Sequence, residues 1–412
     1  MPSKMRIAVV VGRFPVLSEA FILNQITGLI DRGHDVSILA ERRGEEGVTH
    51  ADVARYGLLE QAHYYGPVPS HYLLRAARGI PLLFSTASRS LRVAMKSLDV
   101  FTYGRNAASL RMLYQARSFG GTGPYDIVAC HFGHNGLMAA RMREIGVLGG
   151  RLVTSFHGSD FTRDLRAKGD RVYDRLFERG DLFLAVSQYC RDTLIRLGCD
   201  EGRTAVHHMG VDCRALAFHS VEPPTRGPVR ILTVGRLVEK KGVEYGIRAV
   251  AKVISRRPDI EYSIIGDGPL RSRCDSLIQE LAAADRIHLL GRKDPQETHR
   301  ELRNSHLFLC PSVTGSDGDQ EGIPVSLMEA MAVGLPVVST RHSGIPELVQ
   351  DGRSGFLVAE RDVGALADRL LHLLEHPEIW SEMGRAGREH VERDHDIERL
   401  NDRLVDLYRG LL

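Results

Sequence analysis

Glu321 and Glu329 stand eight residues apart in the run Glu321-Gly322-Ile323-Pro324-Val325-Ser326-Leu327-Met328-Glu329. Pro324 suits the first turn of a helix, where a missing N–H costs nothing. The run therefore predicts a helix starting at Pro324, with the N–H groups of Val325, Ser326 and Leu327 unpaired. Such a helix start is an anion site, strengthened by the dipole. Glu321 falls in the preceding loop and Glu329 more than one turn inside the helix. Even on one helix, eight residues at roughly 100° each leave the two carboxylates about 80° apart. That is too divergent for an acid–base pair, and the two are read as contacts to different parts of one ligand. The apolar helix around Glu329 argues against two merely solvated glutamates.

A second cluster is Val234-Gly235-Arg236-Leu237-Val238-Glu239-Lys240-Lys241-Gly242. Arg236 follows a predicted strand, and Lys241 stands at the next helix start, where the local dipole disfavours a cation. Cations there make sense if an anion lies between them: guanidinium binds phosphate bidentately and ammonium supplies a point charge. The spacing of a Walker loop is absent. A third cluster, Phe156-His157-Gly158-Ser159-Asp160, also follows a predicted strand. Other patterns carry less. Asp317-Gly318-Asp319 reads as a solvated turn, and His131 and His134 lack a third metal ligand. Gly266 and Gly268 lack the remaining glycine of a dinucleotide fingerprint. No metal site and no cofactor are expected.

Positioning these groups requires strand ends. Near-continuous apolar runs at 7–11, 36–39, 127–129, 152–155, 182–186, 230–234, 262–265, 287–290, 307–309, 336–339 and 356–358 predict strands buried on both faces. Helical stretches between many of them, such as 19–31, 243–255 and 365–374, imply parallel sheets with right-handed crossovers. The segment 221–228 holds three prolines in eight residues and reads as a stiff linker. The expected fold class is α/β: two tandem Rossmann-like doubly wound domains, 1–220 and 229–377, facing a central cleft. Residues 378–412 are helical in pattern and fit against either domain. Ligands of such sheets sit beyond the carboxyl ends of the strands, where all three clusters fall.

Together these motifs resemble the retaining glycosyltransferases of family 4, which have the GT-B fold. The resemblance covers most of the chain and is densest from Arg230 to Val358. It includes the G-R-x-x-x-x-K-G loop, Ile265-Gly266-Asp267-Gly268-Pro269, the Glu321/Glu329 element, Gly334-Leu335-Pro336-Val337-Val338 and Gly344-Ile345-Pro346-Glu347-Leu348-Val349. It implies a nucleotide-diphosphate sugar as donor. Arg236 and Lys241 would hold the diphosphate, Glu329 the ribose, and Glu321 a hydroxyl of the donor sugar. The backbone of Gly322, Ile323, Pro324, Val325 and Ser326 would bridge sugar and phosphate, and Arg292 and Lys293 would lie beside the base. His157 resembles the family's histidine near the anomeric carbon, with Asp160 in the same element. His157, Arg236, Lys241 and Glu321 form the implied catalytic set. Many relatives carry a Gly-Gly pair after the first strand; here only Gly12 remains. It is followed by an F-P-x-x-S-E-x-F pattern seen in exopolysaccharide-type members, so Ser18, Glu19 and His131 are acceptor-side candidates.

Composition bounds the rest. The chain has 412 residues, 43% hydrophobic and 26% charged, with a net charge of +2, an ordinary globular composition. Six scattered cysteines predict buried thiols rather than a disulfide framework. The apolar run at 7–11 is too short for a signal peptide, and no stretch reaches the length of a spanning helix. A cytoplasmic protein is expected, peripheral at the inner face of the membrane. The near-zero charge is a cancellation: 28 basic against 21 acidic residues up to 220, then 26 against 31. Residues 71–120 hold eight of those cations against Asp99 alone, interleaved with apolar residues, as on a face for anionic lipid headgroups. The expected partners are a nucleotide-sugar donor and a glycan or lipid-linked acceptor, with no nucleic acid. Three rival readings are a nucleotide-sugar 2-epimerase, an NAD-dependent oxidoreductase and a non-catalytic glycan-binding protein.

Overall fold

A computed structural model describes residues 4–16, 19–44, 50–66 and 68–412. Among the described residues, thirteen strands form two sheets. The first contains β1 (Arg6–Phe14), β2 (Asp35–Arg43), β3 (Ala62–Tyr64), β4 (Ile127–His131), β5 (Arg151–Phe156), β6 (Leu182–Ala185) and β7 (Thr204–Val206). The second contains β8 (Val229–Val234), β9 (Ile260–Ile265), β10 (Ile287–Gly291), β11 (Leu307–Cys310), β12 (Val337–Thr340) and β13 (Gly355–Val358). Their spatial orders are β3-β2-β1-β4-β5-β6-β7 and β10-β9-β8-β11-β12-β13, and every pairing is parallel. In each sheet the order reverses beside the first strand, the switch point where a doubly wound sheet opens a ligand crevice.

The apolar runs form strands because both faces are covered. Every residue of β4, β6, β11, β12 and β13 is buried. One core fills the second domain, and two cores cover the opposite faces of the first sheet. All six cysteines are free and buried.

Three elements differ from expectation. β1 continues to Phe14, so Gly12 lies within a strand and not in a loop after it. β3 and β7 have three residues each, too few for a pattern to register. The C-terminal segment divides between domains. Helix Trp380–Asp394 packs on the second domain against Val325–Val333, whereas Ile397–Arg409 returns to the first. There Leu404, Val405 and Tyr408 join the core of Ile7, Val9 and Ile26. Arg32 holds Glu398 at 3.1 Å and Asp402 at 2.8 Å. The last helix thus ties the two domains together.

Candidate active site

Arg236 leaves the carboxyl end of β8 and is exposed. Lys241 closes the short 3₁₀ turn Glu239–Lys241, and Gly242, at φ +61°, redirects the chain into helix Val243–Ile254. A Cβ at Gly242 would meet the Pro311 carbonyl oxygen at 1.8 Å, so conformation and close approach both demand glycine. Lys241 Nζ lies 3.2 Å from Glu321 Oε2. Lys240, which sequence reasoning passed over, lies 3.9 Å from Glu321 Oε1 and 3.2 Å from Asp319. Burial pushes the Glu321 carboxyl up, but Lys241, Lys240 and His342 together outweigh it and hold the group below its ordinary value. A buried, ionised carboxylate therefore sits against two ammonium groups.

His342 fixes this loop. Its Nε2 accepts from the Glu321 N–H at 3.1 Å, and its Nδ1 lies 2.6 Å from Glu360. With Nε2 accepting, Nδ1 is the ring nitrogen that donates to Glu360.

The helix start differs from the expected one by a residue. Pro324 is the N-cap of helix Val325–Val333, and not its first turn. The Leu327 N–H is not available for an anion, because it donates to the Pro324 carbonyl at 3.1 Å. The N–H groups of Val325 and Ser326 remain without an intrahelical acceptor by the geometry of a first turn. Ser326 Oγ donates to the Val234 carbonyl at 2.9 Å, joining the helix start to the Arg236 loop. Farther along, half-buried Glu329 lies 3.8 Å from His299. Beyond β10, Arg292 is exposed and Lys293 pairs with Glu301 at 3.4 Å.

From the facing domain, His157 follows β5 and is buried, its Nε2 3.0 Å from Nδ1 of His131. Phe21 and Phe132 flank it at ring distances of 4.7 and 4.8 Å. Burial first, then His131 and His207, push His157 well below the usual histidine value, so the ring is neutral at physiological pH. Asp160 is buried in the same loop, and its oxygens accept from the N–H groups of His157 at 3.0 Å, Gly158 at 2.9 Å and Gly133 at 3.1 Å. That arrangement positions His157. His131 is buried and stacked on His157, its pKa pushed to about 3 by burial, so it supports that ring.

The two loops touch. A Cβ on Gly322 would meet the His157 carbonyl oxygen at 2.1 Å, and one on Gly158 would meet that of Gln320 at 3.1 Å. Only glycine permits this approach, which carries Glu321 up to the His157 loop. Gly322→Ala must part the two backbones, because neither contact atom is a movable side chain. A shift of about 1 Å at a reacting centre costs about 10²-fold in rate, and that fall in turnover by a still-folded protein is the expected result. Wild-type turnover would refute it.

Glu19 is the N-cap of helix Ala20–Asp31, and burial raises its carboxyl to about 7 against the lowering pull of Arg236 and Arg13. Arg236 thus acts on Glu19 across the cleft. Ser18 lies outside the described residues. Gly12, in its strand, has no atom within 4 Å of where a Cβ would stand. Asp317-Gly318-Asp319 lies at a turn, with Asp317 exposed and Asp319 half-buried. Arg163 of the first domain reaches Asp317 at 4.0 Å and Asp319 at 3.9 Å, and Arg166 donates to the Ser316 carbonyl at 2.7 Å. Nearby, Glu347 accepts from the N–H groups of Gln188 at 2.7 Å and Tyr189 at 2.9 Å. A carboxylate of one domain thereby caps a helix of the other. These partners are tertiary, so no spacing in the sequence announces them.

Comparison with known proteins agrees with this arrangement. Residues 18–215 match the model described as Glycosyltransferase Family 4, and residues 218–390 match that of Glycosyl transferases group 1. The protein of Salmonella typhimurium named as the colanic acid biosynthesis glycosyltransferase WcaL is 39% identical over 99% of this chain and 100% of its own. The chain belongs to glycosyltransferase family 4. The amylovoran biosynthesis glycosyltransferase AmsK of Erwinia amylovora is 38% identical over 90% of each chain. HepE of Anabaena, solved with UDP-glucose, superposes with a TM-score of 0.71 over 98% of this chain and 100% of its own, at 17% identity. The fold is GT-B and the protein is a glycosyltransferase, which sets aside the oxidoreductase and the non-catalytic glycan binder.

Proposed function

We propose that this family 4 glycosyltransferase moves a hexose, with retention of configuration, from a nucleotide-diphosphate sugar to a lipid-linked glycan acceptor in exopolysaccharide assembly. The observation that carries the reading is the buried Lys241–Glu321 pair held against the His157 loop of the facing domain. The relatives named for colanic acid and amylovoran synthesis support the product class. HepE, solved with UDP-glucose, supports the donor class.

In this reading Arg236 and Lys241 hold the diphosphate, with the Val325 and Ser326 N–H groups beside it. Glu321 accepts from a donor-sugar hydroxyl, Glu329 takes the ribose, and Arg292 and Lys293 border the base. The bond from the anomeric carbon to the phosphate oxygen breaks as the acceptor oxygen bonds that carbon on the same face. The acceptor proton passes to the departing phosphate. Negative charge grows on the diphosphate, where fixed cations and N–H dipoles are most effective. Neutral His157 lies near the anomeric carbon, where an imidazolium would oppose oxocarbenium character. Glu19 faces the acceptor. The enzyme works in the cytoplasm at the inner face of the membrane, with residues 71–120 toward its anionic surface. No helix among the described residues is long and apolar enough to cross it.

A panel of nucleotide sugars, assayed for hydrolysis and for transfer to membrane extracts, tests the reading. One donor should be consumed far faster when acceptor is present. Release of free sugar indifferent to acceptor would point to the epimerase. Metal-independent transfer is part of the proposal, so excess chelator should leave turnover unchanged, and loss of activity restored by a divalent cation would count against it.

A further inference from the structure

The cations of residues 71–120 do not form one surface. Arg75 is buried, donating to the carbonyls of Pro69 at 2.7 Å and of Ser70 and Ser109 at 3.2 Å. Lys96 turns inward to the Glu144 carbonyl at 3.1 Å. What faces outward instead is apolar. Leu73, Ile80, Phe84, Leu91, Met95 and Phe101 each leave at least 61% of their surface in solvent, and Phe101 is fully open.

Helix Tyr72–Arg89 is inverted. Its buried residues are Arg75, Gly79 and Thr86. At the pitch of an α-helix, Leu73, Ile80 and Phe84 lie within about 40° of one another, on the side opposite those three. The following helices, Leu91–Ser97 and Val100–Tyr103, place Leu91, Met95 and Phe101 in solvent as well. A soluble monomer seldom exposes so many large apolar side chains in one segment. Exposed Arg78, Arg89, Arg92, Arg105 and Arg111 accompany them, and the segment's one acidic residue, Asp99, is engaged in capping Thr102. Apolar side chains with basic companions match an anionic bilayer, whose headgroups pair with arginine while its acyl region receives the side chains. The insertion lies between β3 and β4 in the chain, so it leaves the first sheet at the carboxyl edge of β3, the edge that faces the cleft.

We infer that residues 72–101 form a hydrophobic edge that inserts into an anionic membrane, so that docking depends on apolar burial more than on adsorption of the basic residues. The inference deepens the lipid-linked acceptor reading and rests on it for the purpose of the contact.

The test is flotation of the purified protein with phosphatidylcholine vesicles, with and without phosphatidylglycerol, at low and at high salt. The protein should float with the anionic vesicles and retain most of that binding in high salt. Phe84→Asp/Phe101→Asp should bind at least tenfold more weakly, and Arg89→Glu/Arg92→Glu should lose only the salt-sensitive part. Both pairs are exposed, so circular dichroism and donor hydrolysis should match the wild type. Three results would overturn the inference: no flotation, binding abolished by salt yet unaffected in the phenylalanine variant, or a wild-type dimer that the phenylalanine variant splits into monomers. None of these readouts involves donor or acceptor, so failure here is distinct from failure of the glycosyltransferase reading.

Discussion

Glu321→Ala should yield a folded protein whose sugar transfer is lower by about 10²–10³-fold, the usual cost of removing one polar group that acts on the transition state. The environment of the residue makes the expectation specific. Its carboxylate is buried, and it faces Lys241 at 3.2 Å and Lys240 at 3.9 Å. Removing it leaves Lys241 with no buried counter-charge, a loss on the order of 3–5 kcal/mol for a fully buried pair. Lys240 keeps Asp319, so the loss in melting temperature should be partial. Glu321→Gln separates the two effects, keeping the shape and removing only the charge. The carboxyl is held below its ordinary value in the folded chain. Its stabilising contribution is therefore complete above the unfolded carboxylate range and disappears as pH falls through the folded value. The glutamine variant should show a flatter acid limb of stability, with turnover still far below wild type. Turnover near wild type in either variant would remove Glu321 from the donor site.

The motifs were legible because they sit at strand ends, and the strands were legible because burial on both faces leaves continuous apolar runs. Ile127–His131 and Leu307–Cys310 are of this kind. Ala62–Tyr64 and Thr204–Val206 are edge strands of three residues, too short to form a pattern. Single residues at the site failed for another reason. Lys240 is adjacent to the motif lysine, and only the fold shows that it too reaches Glu321. His342 supports Glu321 from twenty-one residues away, and Glu347 caps a helix 158 and 159 residues before it. Nothing in local spacing marks such partners. Asp160 stands in the same motif as His157, but only the fold shows that its oxygens accept from three backbone N–H groups. The interleaved cations and apolar residues of 71–120 did not announce which side of helix Tyr72–Arg89 turns inward. An arginine satisfied by backbone carbonyls took the inner face.

Arg236→Ala should lower transfer as strongly as loss of Glu321, yet leave the melting temperature almost unchanged. The difference follows from burial. Arg236 is exposed at the mouth of the cleft, so its removal opens no cavity and strands no buried charge, and exposed substitutions of that kind stay within about 0.5 kcal/mol. In the proposed reaction its work is confined to the diphosphate. Losing a bidentate cation there removes stabilisation that grows as the leaving group gains charge. Arg236→Lys should recover only part of the activity, because an ammonium keeps the charge but not the planar fork. A pH profile adds a readout that a structural role would not move. Glu19 titrates near about 7, raised by burial and held down in part by Arg236. Deleting that cation removes a lowering influence, so the Glu19 carboxyl should lose its proton at a higher pH in Arg236→Ala. Any activity limb set by Glu19 should shift toward alkaline pH in the alanine variant and stay in place in the lysine variant. A large drop in melting temperature, or turnover close to wild type, would show that Arg236 serves the fold and not the donor.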